Sequence, residues 1–189
     1  IAACPSPPVL VNASAVGYYG TGDATFTEAS PAGDDFLART CAAWEAAASA
    51  AAGSGARVVI TRFGVVLARD GGVLPRQVTP ARFGLGGPLG GGRQWVSWVH
   101  IDDAVGLIVH AATSGMEGPV NVTAPSPVRQ AEFARSLGRA LGRRFQLPVP
   151  GVALRLVLGE MSMLALAGQR VVPDAATAAG YAFTHPQLD

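Results

Sequence analysis

Hydroxyl-bearing side chains at the ends of two apolar runs could act together on a small substrate. Ser14, Tyr18 and Tyr19 follow the short apolar run Val9–Asn12. Arg62 closes the next apolar run along the chain. If the two runs are neighbouring parallel strands, both end at the edge where ligands of open α/β sheets bind. A hydroxyl and two phenols beside a guanidinium could hold a carbonyl or hydroxyl oxygen, which makes Ser14, Tyr18 and Tyr19 candidate catalytic residues.

The chemistry of tyrosine limits this hypothesis. A phenol has a pKa of about 10, so proton transfer near neutral pH needs a neighbouring cation. Arg62 is the nearest cation in the pattern, but a guanidinium keeps its proton at this pH. Ordinary half-buried packing of Tyr18 and Tyr19 is the alternative interpretation, and the residues leave both open.

Ten consecutive residues from Gln94 onward contain two tryptophans, a serine, a histidine and two aspartates. A regular strand would turn Trp95 and Ser97 to one face. Gln94, Trp98 and His100 would then face the other way. We predict that this segment forms a wall of the substrate pocket, with Trp95 and Ser97 on the pocket side and Trp98 in the packing. The predicted wall consists of Gln94, Trp95, Ser97 and His100.

The same segment also has a purely structural interpretation. Asp102 and Asp103 lie where a helix begins, and N-capping accounts for both carboxylates without catalysis. The tryptophans would then belong to a core strand with a buried His100. A metal ion would need more donors than this neighbourhood offers, so no metal site is predicted. A nucleophilic triad would lack its elbow, because the sequence contains no G-x-S-x-G.

Three glycines have the spacing of some dinucleotide-binding loops, since Gly84, Gly87 and Gly90 satisfy G-x-x-G-x-x-G. A functional loop of this kind follows a strand and opens a helix, whose N-terminus receives the pyrophosphate. Pro88 interrupts the pattern, and more glycines follow it. The spacing therefore predicts a loop without a phosphate-binding role.

An alternation of strands and helices would position these candidates. Strands are predicted over Val9–Asn12 and Arg57–Arg62, with a helix between them. Asp34 or Asp35 is the predicted N-cap of that helix. A strand, a helix and a second strand in this order form a βαβ unit and imply a parallel sheet. One face of the helix is predicted to be buried, and it consists of Leu37, Cys41, Trp44 and Ala48.

The second half of the chain predicts two further helices and a strand between them. The first helix runs from the two aspartates to about Thr113, with an inner face of Val105, Ile108, Val109 and Ala112. A strand over Pro119–Thr123 follows. Ser126 and Pro127 then open a helix. That helix is predicted to bury Phe133, Leu137 and Leu141.

Composition narrows the class of protein. The 189 residues are 49% hydrophobic and 14% charged, which excludes a disordered chain. All 14 cationic side chains are arginine, so mechanisms that need a lysine are excluded. The formal charge of +1 predicts no nucleic-acid partner. Cys4 and Cys41 lack metal-ligand spacing and are predicted to be reduced thiols of a cytoplasmic protein, and no stretch predicts a membrane span.

The fold class predicted from these patterns is α/β, with a smaller mixed lobe after about residue 70. Several long motifs also resemble the atypical extended short-chain dehydrogenase/reductase proteins of the NAD-dependent epimerase/dehydratase family (YfcH-like, with a C-terminal domain of unknown function). The resemblance covers the C-terminal part of such proteins. The motifs are VLVNASAVGYYG, DDFLARTCAAWEAAA, RVVITRFGVVL, FGLGGPLGGGRQWVSWVHIDDAV, PVNVTAPSPV and LGEMSMLALAGQRVVP.

The resemblance implies an architecture and a cofactor. Residues 1–70 would be the C-terminal portion of a Rossmann-type parallel sheet, and residues 71–189 a substrate lobe with a small helical C-terminal domain. Residues 119–123 could return to the Rossmann sheet. NAD or NADP would be the cofactor, although the family's glycine-rich loop lies in a half of roughly 100 residues that the resemblance does not cover. The resemblance implies cofactor contacts at Ser14, Phe63, Gly64 and Val65. Arg62 is added to the predicted cofactor-binding residues by its position at the same strand end.

One departure from the family pattern affects the expected chemistry. Typical extended members carry a Tyr-x-x-x-Lys pair on the helix that follows the first loop. The corresponding positions are Leu37 and Cys41 here. Neither side chain can replace that pair, so the reaction stays open.

Three functional hypotheses follow. The first is an NAD(P)-dependent oxidoreductase or epimerase (an isomerase) that acts on a small substrate, with sugar-like molecules among the candidates. The second is a nucleotide-binding regulatory or scaffold protein without turnover, which the lost Tyr-Lys pair favours. The third is a truncated fragment without function.

Overall fold

The computed structural model describes residues 8–82, 87–142 and 148–188. The strands are Val9–Ala15 (β1), Gly22–Phe26 (β2), Arg57–Phe63 (β3), Val65–Ala68 (β4), Gly71–Gly72 (β5), Trp95–Val96 (β6), Trp98–His100 (β7), Gly118–Val122 (β8), Val128–Arg129 (β9) and Gln169–Val171 (β10). The helices are Phe36–Ser49 (α1), Leu74–Arg82 (α2), Ile101–Thr113 (α3), Gln130–Ala140 (α4), Gly151–Leu158 (α5), Met163–Leu166 (α6) and Asp174–Ala178 (α7).

A parallel sheet with the order β1-β3-β8 forms the centre of the fold. β1 pairs with β3 along its whole length, from Val9 beside Arg57 to Ala15 beside Phe63. β8 pairs with the other edge of β3, also in parallel. The predicted α/β class and the parallel sheet are therefore confirmed, and β1 and β3 end at the same edge.

Two clusters of buried side chains hold the layers together. The first lies between the central sheet, α3 and α7, and includes Val59, Val99, Leu107, Val120 and Val122. The second lies under the loop-rich half and includes Leu67, Trp98, Ala124, Val128 and Phe133. Burial of such side chains is the main source of stability in a domain of this size.

Helix α1 begins as predicted but turns a different face inward. The Asp35 side chain accepts a hydrogen bond from the backbone N–H of Ala38, so the predicted N-cap is confirmed. Of the predicted inner face, the burial of Cys41 is confirmed, whereas the burial of Leu37 and Trp44 is wrong, because they are 40% and 59% exposed. The buried positions are Ala38, Cys41 and Glu45. The apolar pattern misses this face because one of its members is a carboxylate that is paired inside the fold.

The predicted inner face of α3 is also wrong. Val105, Ile108 and Val109 are exposed by 52%, 37% and 55%. The buried side of α3 consists of Asp103, Ala104, Leu107 and Ala111. Two of these four residues are small alanines and one is a carboxylate, so the buried side has a weaker apolar pattern than the opposite side, which carries Val105, Ile108 and Val109.

The segment around Trp95 forms two short strands instead of the predicted single one. β6 pairs with β9 antiparallel, whereas β7 pairs with β4 in parallel. Ser97 lies between them and belongs to neither. Trp98 is 2% exposed and packs in the second cluster, whereas Trp95 is partly exposed.

Helix α4 begins later than its cap signal predicts. Ser126 and Pro127 precede strand β9, and the helix starts at Gln130. Pairing of β9 with β6 competes with helix formation at these positions. The predicted burial of Phe133 is confirmed, at 3% exposure.

The predicted capping role of Asp102 and Asp103 is wrong, because both lie inside the first turn of α3. His100 is the N-cap, and its Nδ1 accepts a hydrogen bond from the N–H of Asp102. Asp103 is 1% exposed and holds the C-terminal segment instead. Its carboxylate oxygens each accept a backbone hydrogen bond of 2.8 Å, from the N–H groups of Thr184 and His185.

We therefore expect different costs for truncating these two neighbours. Asp103→Ala should lower the free energy of unfolding by about 2 kcal/mol, since it leaves buried donors without acceptors. Asp102→Ala is the matched control, with a side chain that is 69% exposed. Its cost should stay below about 0.5 kcal/mol. Urea unfolding of both variants measures the difference, and equal costs would contradict the structural role of Asp103.

Some expectations lie outside the described residues or concern membranes. Cys4 and Gly84 are not among the described positions, whereas Cys41 is a buried free thiol. Within the described ranges, every helix is too short or too polar to span a bilayer.

Candidate active site

A cavity of about 920 Å³ lies where β1 and β3 end at the edge of the central sheet. The segment 15–17 follows β1 and forms part of its wall, and Phe63, Gly64 and Val65 continue the wall after β3. This edge is the usual ligand-binding position of open parallel sheets. Gly64 separates β3 from β4 and lies against the segment around Ser97, since a Cβ atom at Gly64 would be 2.2 Å from the carbonyl oxygen of Ser97.

Side chains from several other elements close the cavity. They come from α1, the segment around β6, α4, α5 and the start of β10. The apolar members include Leu37, Phe133, Leu137, Leu154 and Ala167. The polar members include Asp35, Gln77, Gln94, Gln130 and Gln169. The wall thus combines large apolar surfaces with a few amide groups and the charged side chains of Asp35 and Arg76, as is typical of small-molecule sites.

Behind the cavity wall lies a buried ion pair that joins α1 to β3. Arg62 Nη2 and Nε donate to the two carboxylate oxygens of Glu45, at 2.7 and 2.9 Å. Ser14 Oγ donates to the same carboxylate at 2.6 Å. Burial alone would lower the pKa of Arg62, but its hydrogen bonds to Glu45 and Tyr19 raise that pKa above its usual value. Arg62 is therefore a fixed cation inside the fold.

The two predicted tyrosines complete this network. Arg62 Nη1 donates to the Tyr19 hydroxyl at 2.8 Å, and the hydroxyl donates to Asn121 Oδ1 at 2.7 Å. The Arg62 guanidinium also lies 3.5 Å from the centre of the Tyr18 ring. Burial raises the pKa of Tyr19 although Arg62 and Asn121 act against the shift. The Tyr19 hydroxyl therefore stays protonated at neutral pH, with both its donor and its acceptor in use.

The structure brings together some of the predicted site residues and separates others. Phe63, Gly64, Val65, Gln94, Trp95 and Ser97 line the cavity. Ser14, Tyr18, Tyr19 and Arg62 cluster in the network behind it, and among the described residues none of the four contributes to the cavity wall. Their catalytic and cofactor-binding roles stay predictions.

The predicted pocket wall around Trp95 is largely tied into the fold. Ser97 Oγ donates to the carbonyl oxygen of Gln169 at 2.7 Å and accepts from the N–H of Val171 at 2.9 Å. The Trp95 ring lies under the guanidinium of Arg129, at 3.8 Å. His100 lies away from the cavity as the cap of α3, so only Gln94, Trp95 and Ser97 of the predicted wall face it.

Sequence reasoning overlooked Glu45 and Asn121, which are as central to this region as the residues it found. Glu45 lies in an alanine-rich helix, where a single carboxylate is typical of a solvated face. The only sequence signal for Glu45 is the position of Arg62 in a strand that is strongly predicted to be buried. An arginine at such a position needs a partner charge. Asn121, which is 0% exposed in β8, also donates to the carbonyl oxygen of Val172 at 2.9 Å.

Comparison with known proteins shows to which family the chain belongs. Residues 1–123 match the model of the NAD dependent epimerase/dehydratase family. The chain belongs to this family. Residues 149–189 match a second model, a domain of unknown function (DUF1731). The resemblance read from the sequence motifs is confirmed.

Relatives occur in plants and bacteria. The chain is 46% identical over 181 residues to an epimerase family protein of Arabidopsis thaliana, SDR39U1 homolog, chloroplastic, and covers 52% of it. It is 44% identical over 186 residues to the epimerase family protein YfhF of Bacillus subtilis, and covers 61% of it. These alignments include 95% and 97% of this chain. The chain therefore spans a little over half the length of these relatives.

Two solved structures share the fold of this chain. The human epimerase family protein SDR39U1, solved with NADPH, has a TM-score of 0.92 and 40% identity, with 100% of this chain and 65% of that chain covered. A nucleoside-diphosphate sugar epimerase from Corynebacterium glutamicum has a TM-score of 0.81 and 35% identity, with 98% of this chain and 37% of that chain covered.

Proposed function

We propose that this chain forms the substrate-facing part of a cytoplasmic NAD(P)-dependent oxidoreductase or epimerase that acts on a small molecule. The observation that carries the proposal is the cavity of about 920 Å³ at the carboxyl ends of β1 and β3. The family model names NAD, and the human relative was solved with NADPH. Both support a nicotinamide cofactor beside this cavity.

The segment Phe63–Val65 fits a flat nicotinamide ring. The N–H of Gly64 donates to Val122 at 3.1 Å, and the N–H of Val65 donates to Ser97 at 2.7 Å. Because these backbone donors are in use, the segment would contact a ring through its apolar surface and leave the polar contacts to other groups. A bound NAD(P) would supply or accept a hydride there.

The cavity wall favours a substrate with an apolar body. Phe133, Leu137 and Leu154 are apolar, and Gln94 uses its Nε2 to donate to the carbonyl oxygens of Leu89 and Ala165. Asp35 and Gln130 also accept backbone hydrogen bonds, so Arg76, Gln77 and Gln169 are the main polar side chains left for a substrate, and a sugar with a hydroxyl on every carbon would need more partners than these. We therefore favour an apolar carbonyl or alcohol over a free sugar.

Cys41 is the protic side chain that α1 presents to the cavity below its N-cap. Burial raises the pKa of the Cys41 thiol, so the group stays protonated at neutral pH and can donate a hydrogen bond to a substrate oxygen. Carbonyl reduction adds a hydride to carbon and a proton to oxygen. The thiol lies on the helix where typical members carry their tyrosine and lysine, so its hydrogen bond would orient the substrate oxygen that takes up this proton.

A second candidate is a nucleotide-binding protein without turnover. The observation in its favour is the wall itself, because the described residues that line the cavity include no tyrosine, lysine or histidine. These are the usual acids and bases for hydride-transfer enzymes.

Two neighbouring leucines of α5 separate these candidates. Leu154 lines the cavity, whereas Leu156 is 83% exposed and serves as the matched control. The assay uses the whole protein that the gene encodes. We expect this protein to oxidise NADPH in the presence of at least one compound from a panel of apolar carbonyl compounds. Leu154→Gln should lower kcat/KM about tenfold or more, and Leu156→Gln should leave it unchanged.

The outcomes of this assay decide between the proposals. NADPH binding without oxidation by any panel member would favour the second candidate. Equal activity of both variants would show that the reaction does not use this cavity, and the proposed site would be wrong.

A further inference from the structure

Three metal-ligating side chains meet at the N-terminus of α3, away from the cavity. They are His100, Asp102 and His185, and their ligand atoms all lie within 4.8 Å of one another. Asp102 Oδ2 lies 3.4 Å from His100 Nδ1 and 3.7 Å from His185 Nε2. The sequence predicted no metal site here, because His185 is separated from the other two by more than eighty residues.

Two of the three distances between ligand atoms are close to those of a tetrahedral zinc site. Zn–N and Zn–O bonds of about 2.0–2.1 Å put neighbouring ligand atoms about 3.3 Å apart at tetrahedral angles. The two distances to Asp102 Oδ2 are within a few tenths of an ångström of that value. Small side-chain rotations could therefore bring all three atoms onto one ion.

The His100 ring is held at the start of α3 by its own Nδ1. This nitrogen accepts a hydrogen bond of 3.2 Å from the N–H of Asp102, which keeps the ring beside the Asp102 carboxylate. A metal ion at this position would replace the N–H as the partner of Nδ1. The ring lies 3.9 Å from the ring of His185 between centroids.

The third ligand is held in place by the buried carboxylate of Asp103. Asp103 Oδ2 accepts from the backbone N–H of His185, and Oδ1 accepts from that of Thr184. The hydroxyl of Tyr181 donates to the backbone carbonyl of Asp103 at 3.2 Å. Because the C-terminal segment is fixed to the first turn of α3, His185 is positioned beside His100 before any ion binds, and this lowers the entropic cost of binding.

We propose that His100, Asp102 and His185 bind a divalent transition-metal ion, with Zn²⁺ as the representative. Two imidazoles and a carboxylate suit ions of this class better than Mg²⁺ or Ca²⁺. The three side chains are 35%, 69% and 41% exposed, so the remaining coordination positions are open to water. A bound ion would join the C-terminal segment to α3.

Calorimetric titration with ZnCl₂ tests the proposal on the full chain, in a Cys4→Ser background so that this thiol cannot take the ion. We expect one Zn²⁺ per chain. His185→Ala and Asp102→Ala should each weaken binding at least about tenfold. His110→Gln is the matched control, because His110 is the remaining histidine of the chain and also belongs to α3. It should leave binding unchanged.

A melting experiment accompanies the titration and verifies that each variant folds. Zn²⁺ should raise the Tm of the parent chain and not that of His185→Ala or His185→Gln. Absence of Zn²⁺ binding by the folded parent chain would overturn the proposal. Undiminished binding by a folded His185 variant would also overturn it, since the ion would then lie elsewhere.

Discussion

Removing the Glu45 carboxylate is expected to destabilise the protein by about 3–5 kcal/mol, because Glu45→Ala leaves Arg62 as an unpaired charge inside the fold. Arg62 is 4% exposed and donates to both oxygens of Glu45. Ser14 would lose its acceptor in the same variant. Denaturant unfolding followed by circular dichroism measures the loss.

The chain offers a control with the same shortest N–O distance and different burial. Arg129 and Asp23 form an ion pair whose N–O distance is 2.7 Å, the same as between Arg62 and Glu45. The Asp23 side chain is 80% exposed, so Asp23→Ala should cause no resolvable change in stability. Similar losses in Glu45→Ala and Asp23→Ala would show that burial does not govern the strength of these pairs.

A double variant isolates the cost of the orphaned charge. Glu45→Leu combined with Arg62→Met removes both charges, so its loss of stability should be smaller than that of Glu45→Leu alone. Arg62→Met alone completes the comparison. If the loss in the double variant equals the sum of the losses in Glu45→Leu and Arg62→Met, the mutual attraction of the buried pair contributes nothing to stability. The network would then not hold α1 against β3 as its contacts indicate.

The second large effect is expected at Gly64, on the cavity wall. A methyl group there would lie 2.2 Å from Ser97 O and 2.9 Å from Thr123 Cγ2. Since the first contact is with backbone, Gly64→Ala must separate β4 from the segment around Ser97. We expect a loss of about 3 kcal/mol in the free energy of unfolding. The variant should also deform the wall beside the proposed nicotinamide position.

Gly115→Ala is the control for the glycine substitution. A Cβ atom at Gly115 meets nothing within 4 Å. Its effect on Tm should be small, within the range of ordinary surface substitutions. Comparable melting of the Gly64→Ala and Gly115→Ala variants would contradict the close approach of the two segments.

The sequence by itself determined the parallel sheet and the family. Patterns of apolar β-branched residues and a helix with an aspartate cap are local signals, and β1, α1 and β3 formed where those signals lie. The family motifs are likewise contiguous strings of residues. Local signals of this kind survive folding because backbone hydrogen bonding and capping depend on near neighbours in the chain.

Tertiary structure decided which faces are buried and which polar groups meet. Glu45 faces inward because it pairs with Arg62 on β3. The buried side of α3 includes Asp103 because its carboxylate accepts backbone hydrogen bonds from the C-terminal segment. Ser14 and Tyr19 were selected for their chemical types, yet partners in α1 and β8 occupy their hydroxyls.

The same reason explains why sequence reasoning found only part of the cavity wall and missed the histidine cluster. The cavity wall takes residues from segments between Ala15 and Gln169, and the cluster joins His100 to His185. A local sequence pattern cannot predict contacts between residues that lie so far apart in the chain. Only packing of the layers, and the buried Asp103 that fixes the C-terminal segment, brings these side chains together.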